Sequence, residues 1–217
     1  MKMTIEIWSD VMCPFCYIGK RRFESALDQF AEKDKIEVVW KSFQLSPDMK
    51  TDPTISIHDY LAAHKGISPE EAKRMNDYVS DMAAKSDLVY HLDKAVVANS
   101  FKAHRMTHFA KHHGKQGEAE EKLFQAYFCD GKNIDDTDTL VQLGTEIGLD
   151  KGLLKAALND EIYADDVRSD IYEAHQVGVQ GVPFFLFNGK YAVSGAQPID
   201  LFTQTLEKSF STWQERS

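Results

Sequence analysis

The chain has 217 residues, of which 43 % are hydrophobic and 11 % aromatic, and a formal net charge of -9. That composition excludes a disordered chain, and the length allows a core large enough to fold without disulfide staples. The acidic balance argues against nucleic-acid or membrane-surface partners, and no apolar run approaches the roughly 18 residues of a membrane span.

Thr4 to Ser9 alternates Ile5 and Ile7 with Glu6 and Trp8 and predicts a strand. From Pro14 the apolar residues Phe15, Ile18, Phe23, Leu27 and Phe30 follow helical spacing. The helix is expected to run into the charged stretch 32–35. Ile36 to Phe43 is rich in β-branched and aromatic residues and predicts a second strand. A β-α-β order favours a parallel pair with a right-handed crossover. Trp8 and Trp40 are expected in the core of these strands.

After the proline-bearing connection 46–53, strand signals stop, and residues 55–178 read as successive helices. Ser68-Pro69-Glu70-Glu71 is a helix start, with a cap, a proline at the first helical position and acids behind it. Helices are expected over Ala98–Phe109 (closed by Gly114), around Leu123–Phe128 (closed by Gly131), from Asp136 or Thr137 to Ile147, over 153–158 and over 160–177. Strands resume at Phe184–Phe187, Asn188-Gly189 is a hairpin turn, and Tyr191–Ser194 returns. Pro198 opens a last helix striped by Ile199, Phe202, Leu206, Phe210 and Trp213.

The chemistry lies in Cys13-Pro14-Phe15-Cys16, between the first strand and the first helix. Cys13 falls at the helix N-cap and Cys16 three residues on, a spacing that brings two sulfurs to one face. The helix N-terminus offers unpaired N–H groups and partial positive charge, which stabilise a thiolate at Cys13. Pro14 sits where a missing N–H costs nothing. Cys13 is expected to be the exposed nucleophile, and the inward Cys16 the resolving thiol. A closed zinc site needs four ligands, and three cysteines without a second pair do not supply them. A pair of buried structural cysteines is the other alternative, and the strand-to-helix setting favours redox chemistry. The first 50 residues hold eight bases and eight acids, so this segment is neutral while the rest of the chain is acidic.

A second signal is Gly178-Val179-Gln180-Gly181-Val182-Pro183, a proline at a strand entrance. From sequence alone it is either a cis bond or an ordinary loop proline.

Taken together, Ser9-Asp10, the cysteine motif, Ser42-Phe43-Gln44-Leu45, Asn99 to Arg105, Gly178 to Pro183 and Ser194-Gly195-Ala196-Gln197 make the chain resemble the DsbA family of thiol–disulfide oxidoreductases, and within it the FrnE-like branch. The resemblance spans nearly the whole chain. It implies an α/β thioredoxin fold, residues 1–54 with 160–217, interrupted by an all-helical insertion, 55–159, that shapes a groove over Cys13. It implies a cis Val182-Pro183 packed beside the cysteines, offering backbone to a substrate strand. Pro14, Phe15, Val182 and Pro183 would support the site, and Asn99, His104 and Arg105 would bind substrate. The strongly oxidising periplasmic members carry Pro-His where this chain has Pro14-Phe15, so a less oxidising couple is expected.

Catalysis is expected to need no metal and no cofactor beyond the redox-active cysteines, with glutathione as one substrate candidate. The partners would be thiol- or disulfide-bearing proteins or small molecules, with monomer and dimer both open. The chain begins without a basic and apolar leader pattern, so a cytoplasmic location is expected. Two other readings stay open. One is a glutathione-dependent isomerase or transferase, similar to kappa-class glutathione transferases and hydroxychromene carboxylate isomerases, which usually carry serine where Cys13 stands. The other is a non-enzymatic, chaperone-like binding protein.

The remaining features read as structural. His104, His108 and His112 form a solvated stripe, and Lys20-Arg21-Arg22 a solvated helix face. Residues 130–136 form a turn followed by a cap, without the acids of a calcium loop. Cys129 is expected to be a buried, inert thiol.

Overall fold

The computed structural model describes residues 2–215 and divides the chain into two compact units. The first runs to Leu45 and resumes at Ser169; the second is Ser46–Arg168.

The first unit is built on a four-stranded sheet of order β2-β1-β5-β6. Its strands are β1 (Met3–Ser9), β2 (Ile36–Ser42), β5 (Phe184–Phe187) and β6 (Tyr191–Ser194). As the β-α-β order predicts, β1 and β2 are parallel, with Ile5 opposite Val38 and Ile7 opposite Trp40. β5 runs antiparallel to β1, with Ile7 opposite Phe185. Asn188 and Gly189 both take positive φ, the conformation that a two-residue hairpin turn demands.

The pleat of β5 sends alternate side chains to two cores. Phe185 and Phe187 are fully buried, and the ring of Phe23 on α1 (Pro14–Gln29) lies 5.4 Å from that of Phe185. Phe202 on α9 (Ile199–Gln214) closes this layer 4.7 Å from Phe185. On the other face Trp8, Phe43, Ala174 and Val179 are buried together, with Val182, Phe184 and Leu186 packed against them. The Trp8 indole donates to the Asp170 carbonyl at 3.0 Å, so the largest buried side chain leaves no unpaired polar atom there.

The second unit holds α2 (Ile57–Lys65), α3 (Pro69–Ala84), α4 (Phe101–His112), α5 (Gln116–Phe128), α6 (Thr137–Glu146), α7 (Lys151–Asn159) and the start of α8 (Ala164–Val177). Ser68 and Glu71 form a reciprocal capping box on α3, and Asp136 caps α6. Gly131 takes positive φ, and a Cβ there would stand 2.6 Å from the Lys94 carbonyl oxygen. Residues 130–136 are accordingly a turn and a cap.

Several expectations need correction. The insertion is not purely helical: β3 (Asp52–Ser56) pairs antiparallel with the two-residue β4 (Val96–Val97). β3 carries Pro53 and is largely exposed, so it shows no apolar alternation to read. The unit boundary lies at Leu45/Ser46 rather than 54/55, with Pro47 and Met49 held by Asn99 and β3 by β4. At the other end, Arg105 donates to the carbonyl of Ile162 at 3.0 Å, and residues 160–168 belong with the insertion. Helix α8 starts at Ala164 rather than 160, because Glu161 and Tyr163 adopt positive φ. Helix α1 ends at Gln29, where Phe30 turns extended, before the charged stretch.

Among the described residues, no helix is long and apolar enough to cross a membrane.

Candidate active site

Strand β1 delivers the chain into a turn held from below by Asp10, which is fully buried. Its main-chain carbonyl accepts the Cys13 N–H at 2.9 Å. Its carboxylate accepts the N–H groups of Met12 at 3.3 Å and Leu45 at 2.8 Å. The next β-strand is fastened beside it, because Phe43 N–H donates to the Ser9 carbonyl at 2.9 Å. Asp10 belonged to the sequence pattern only as one of its letters. Its acidity before a helix start hinted at a capping role, but the long-range bond to Leu45 carries no local signal.

Cys13 is the N-cap of α1, in extended backbone, and Pro14 takes the first helical position. The Cys13 side chain makes no capping bond, and the first turn contains no acid. The helix dipole therefore acts on the sulfur without a competing side-chain anion from that turn. Cys13 and Cys16 are both free thiols.

Cys13 is not the exposed residue expected of it: only 3 % of its surface meets solvent. Its Sγ is turned toward the Val182 carbonyl oxygen, 3.5 Å away, and toward the Cys16 thiol. Phe15 is the exposed side chain of the motif, at 37 %. Val182-Pro183 is a cis peptide, and the Val182 carbonyl faces Cys13 Sγ across 169 residues of sequence. The Pro183 carbonyl accepts from Gly195 N–H at 2.8 Å, which anchors the loop to the end of β6.

Burial pushes the Cys16 thiol well above the ordinary range, and the neighbouring Cys13 adds to the shift. The Ser9 hydroxyl and an Asp10 backbone group oppose it. Ser9 Oγ is itself buried without a nitrogen or oxygen partner. Neither its burial nor its facing of a sulfur is visible in the sequence.

The basic run on α1 is not a solvated face. Lys20 is 3 % exposed and pairs with Glu24 at 2.7 Å. Arg22 donates to the Ala196 carbonyl at 2.6 Å, tying α1 to the loop after β6. Arg21 donates to the Tyr17 hydroxyl at 3.1 Å.

The three residues expected to bind substrate lie in the second unit, where two of them engage backbone. Asn99 donates its amide to the carbonyls of Pro47 and Met49, at 3.0 and 2.8 Å, and accepts from Phe101 N–H. Arg105 donates to Ala157, Leu158 and Ile162, tying α4 to the end of α7. His104 is buried on α4. Only the end of the histidine stripe is solvated: His104 and His108 are buried, while His112 is exposed, its ring 5.1 Å from that of Tyr163. Among the described residues, no three His, Cys, Asp or Glu side chains group as metal ligands. Cys129 is partly exposed rather than buried, at the C-cap of α5.

A cysteine pair at a helix N-terminus, faced by the carbonyl before a cis-proline, sits on a sheet of thioredoxin topology. Residues 4–207 match the DSBA-like thioredoxin domain. The chain belongs to that family. It is 32 % identical over 221 residues to the uncharacterized protein YwbO of Bacillus subtilis, with both chains covered in full. It is 39 % identical to the probable DsbA oxidoreductase SCO1869 of Streptomyces coelicolor, with a TM-score of 0.90 over 96 % of this chain and 90 % of that one. The cytosolic disulfide reductase DsbM of Pseudomonas aeruginosa shares the fold, with a TM-score of 0.68 over 96 % of this chain and 99 % of that one, at 16 % identity.

Proposed function

We propose that this DsbA-like protein is a dithiol–disulfide oxidoreductase of the FrnE-like branch, with Cys13 as nucleophile and Cys16 as resolving thiol. The observation that carries the reading is the Cys13 sulfur, placed at a helix N-cap against both Cys16 and the Val182 carbonyl. In the reducing direction the Cys13 thiolate attacks a substrate disulfide. One sulfur of that disulfide bonds to Cys13, and the other leaves as a thiolate. Cys16 then gives up its proton and attacks Cys13 Sγ, forming the Cys13–Cys16 disulfide and expelling the second substrate thiolate. Two electrons pass to the substrate, and the reverse sequence oxidises a dithiol.

The buried Cys16 stays protonated during the first attack, which directs substrate to Cys13. The substrates are disulfides or thiols of proteins or small molecules, glutathione among them, and the chemistry needs no metal or further cofactor. The compartment we propose is the cytoplasm, as for DsbM. There Pro14-Phe15, which lacks a cationic neighbour for Cys13, suits a couple poised on the reducing side.

The test is titration in glutathione redox buffers, with the Cys13/Cys16 state read by peptide mass. A reversible Cys13–Cys16 disulfide is expected. Cys13→Ser abolishes turnover, and Cys16→Ser accumulates mixed disulfides on Cys13. Turnover that survives Cys13→Ser, or a failure to form the disulfide, overturns the reading.

A further inference from the structure

Helix α1 carries a glycine in its interior, one turn past Cys16 and directly before Lys20, where alanine would favour the helix by about 1 kcal/mol. Gly19 is buried, and its φ is not left-handed, so no backbone conformation demands glycine there. Packing does. A Cβ on residue 19 would stand 2.8 Å from Cγ of Pro183, 3.5 Å from its Cβ and 3.4 Å from Cζ of Phe185. Pro183 is a ring closed on its own backbone, and it directly follows the residue whose carbonyl faces Cys13. It cannot retreat from α1 without moving that carbonyl.

We propose that Gly19 is a positioning residue for the redox site: the missing side chain lets Pro183 seat on α1, and this sets the approach of the Val182 carbonyl to Cys13 Sγ. The inference rests on the oxidoreductase reading for its purpose, though not for its geometry. With the loop seated, the carbonyl accepts from the Cys13 thiol at 3.5 Å. A carbonyl oxygen at that place engages the Cys13 S–H and covers one side of the sulfur. A methyl group at residue 19 would displace the loop, remove the acceptor and leave the sulfur open to attack. Phe185 is held between Phe23 and Phe202, so it offers the methyl group no alternative space.

The experiment compares wild type, Gly19→Ala, Pro183→Ala and the double variant as full-length reduced proteins. The rate at which iodoacetamide modifies Cys13 at neutral pH is followed by peptide mass, with circular dichroism as the check on folding. Gly19→Ala is expected to speed Cys13 modification roughly threefold, the scale of one weak hydrogen bond. In the Pro183→Ala background, where Cγ is gone, the same substitution is expected to change the rate little. If Gly19→Ala fails to fold while the double variant folds, the clash with Pro183 is supported. A folded Gly19→Ala protein with the wild-type rate, an equal effect in both backgrounds, or misfolding of both Gly19 variants overturns the proposal. If wild type forms no Cys13–Cys16 disulfide in any glutathione buffer, the oxidoreductase reading falls, while the modification rates still decide the role of Gly19.

Discussion

The carboxylate of Asp10 joins the active-site turn to a residue 35 positions away, accepting the Leu45 N–H at 2.8 Å on one oxygen while the other takes the Met12 N–H. Both donors lie beside a buried group, so removing the acceptor leaves them unsatisfied. Asp10→Ala is expected to lower stability by about 2 kcal/mol, measured by urea unfolding. Asp10→Asn keeps one acceptor oxygen and turns an NH2 against the other donor, so it is expected to recover only part of the loss. Equal stability of Asp10→Ala and wild type would remove Asp10 from this role.

Cys16 gives a pH dependence with a definite sign. Its thiol is raised in the folded protein, chiefly by burial, so it ionises more readily in the unfolded chain. The folded state then holds the extra proton, and stability is full below the ordinary thiol range near about 8.5. It falls as the pH rises above that range toward the folded value. Melting of the reduced protein between pH 8 and 10 should show this decline, and Cys16→Ser should lack that component.

Ser9 places a buried hydroxyl against the Cys16 sulfur, which in the proposed mechanism becomes an anion in the resolving step. Ser9→Ala changes volume little, and the fold is expected to survive. The mixed disulfide between Cys13 and glutathione should persist several times longer, since one thiolate-stabilising hydrogen bond is lost. Stopped-flow mixing with quenching and mass analysis reads that lifetime. An unchanged lifetime would show that Ser9 contributes nothing to resolution.

Lys41 stands among three acids, 2.8 Å from Glu173, 3.3 Å from Asp170 and 3.7 Å from Glu6. Burial, the largest influence on Glu6, raises its carboxyl, while Lys41 lowers it. Lys41→Met leaves the acids facing one another, and about 2 kcal/mol of stability should be lost at pH 7. The deficit should shrink near pH 4 to 5, where the carboxylates take up protons. Denaturant midpoints at the two pH values check it.

Phe15→His restores a cation-capable neighbour to Cys13 without touching the core, because residue 15 is on the surface. The midpoint in glutathione buffers is expected to move in the oxidising direction by tens of millivolts, each ~30 mV being ~1.4 kcal/mol. A midpoint within error of wild type would mean that the dipeptide does not tune this pair.

The sheet was readable because its signals are local. β1 alternates, Asn188-Gly189 demands its turn, and Ser68, Pro69 and Glu71 announce a helix within four residues. The cysteine spacing fixed the helix N-terminus for the same reason. What stayed hidden depends on partners distant in sequence. Cys13 was expected to be open to solvent because a nucleophile must be reached, yet its sulfur turns to Val182 and Cys16. Lys20 and His108 looked solvated from their polarity alone, and their burial is a property of neighbours that the local sequence does not name. β3, with a proline and exposed side chains, pairs with only two residues and left no pattern.

The carbonyl that faces Cys13 comes from Val182, and the strand that braces it from residues 184–187. During synthesis both cysteines leave the ribosome long before that loop exists, as part of a β-α-β fragment with one side of its sheet unpaired. The cysteine pair is therefore made well before the loop that completes its surroundings. A nascent or truncated chain that stops short of residue 182 carries both thiols but cannot hold the nucleophile in its native setting. The native setting of Cys13 thus forms only once synthesis has passed residue 182 and the strand that follows it.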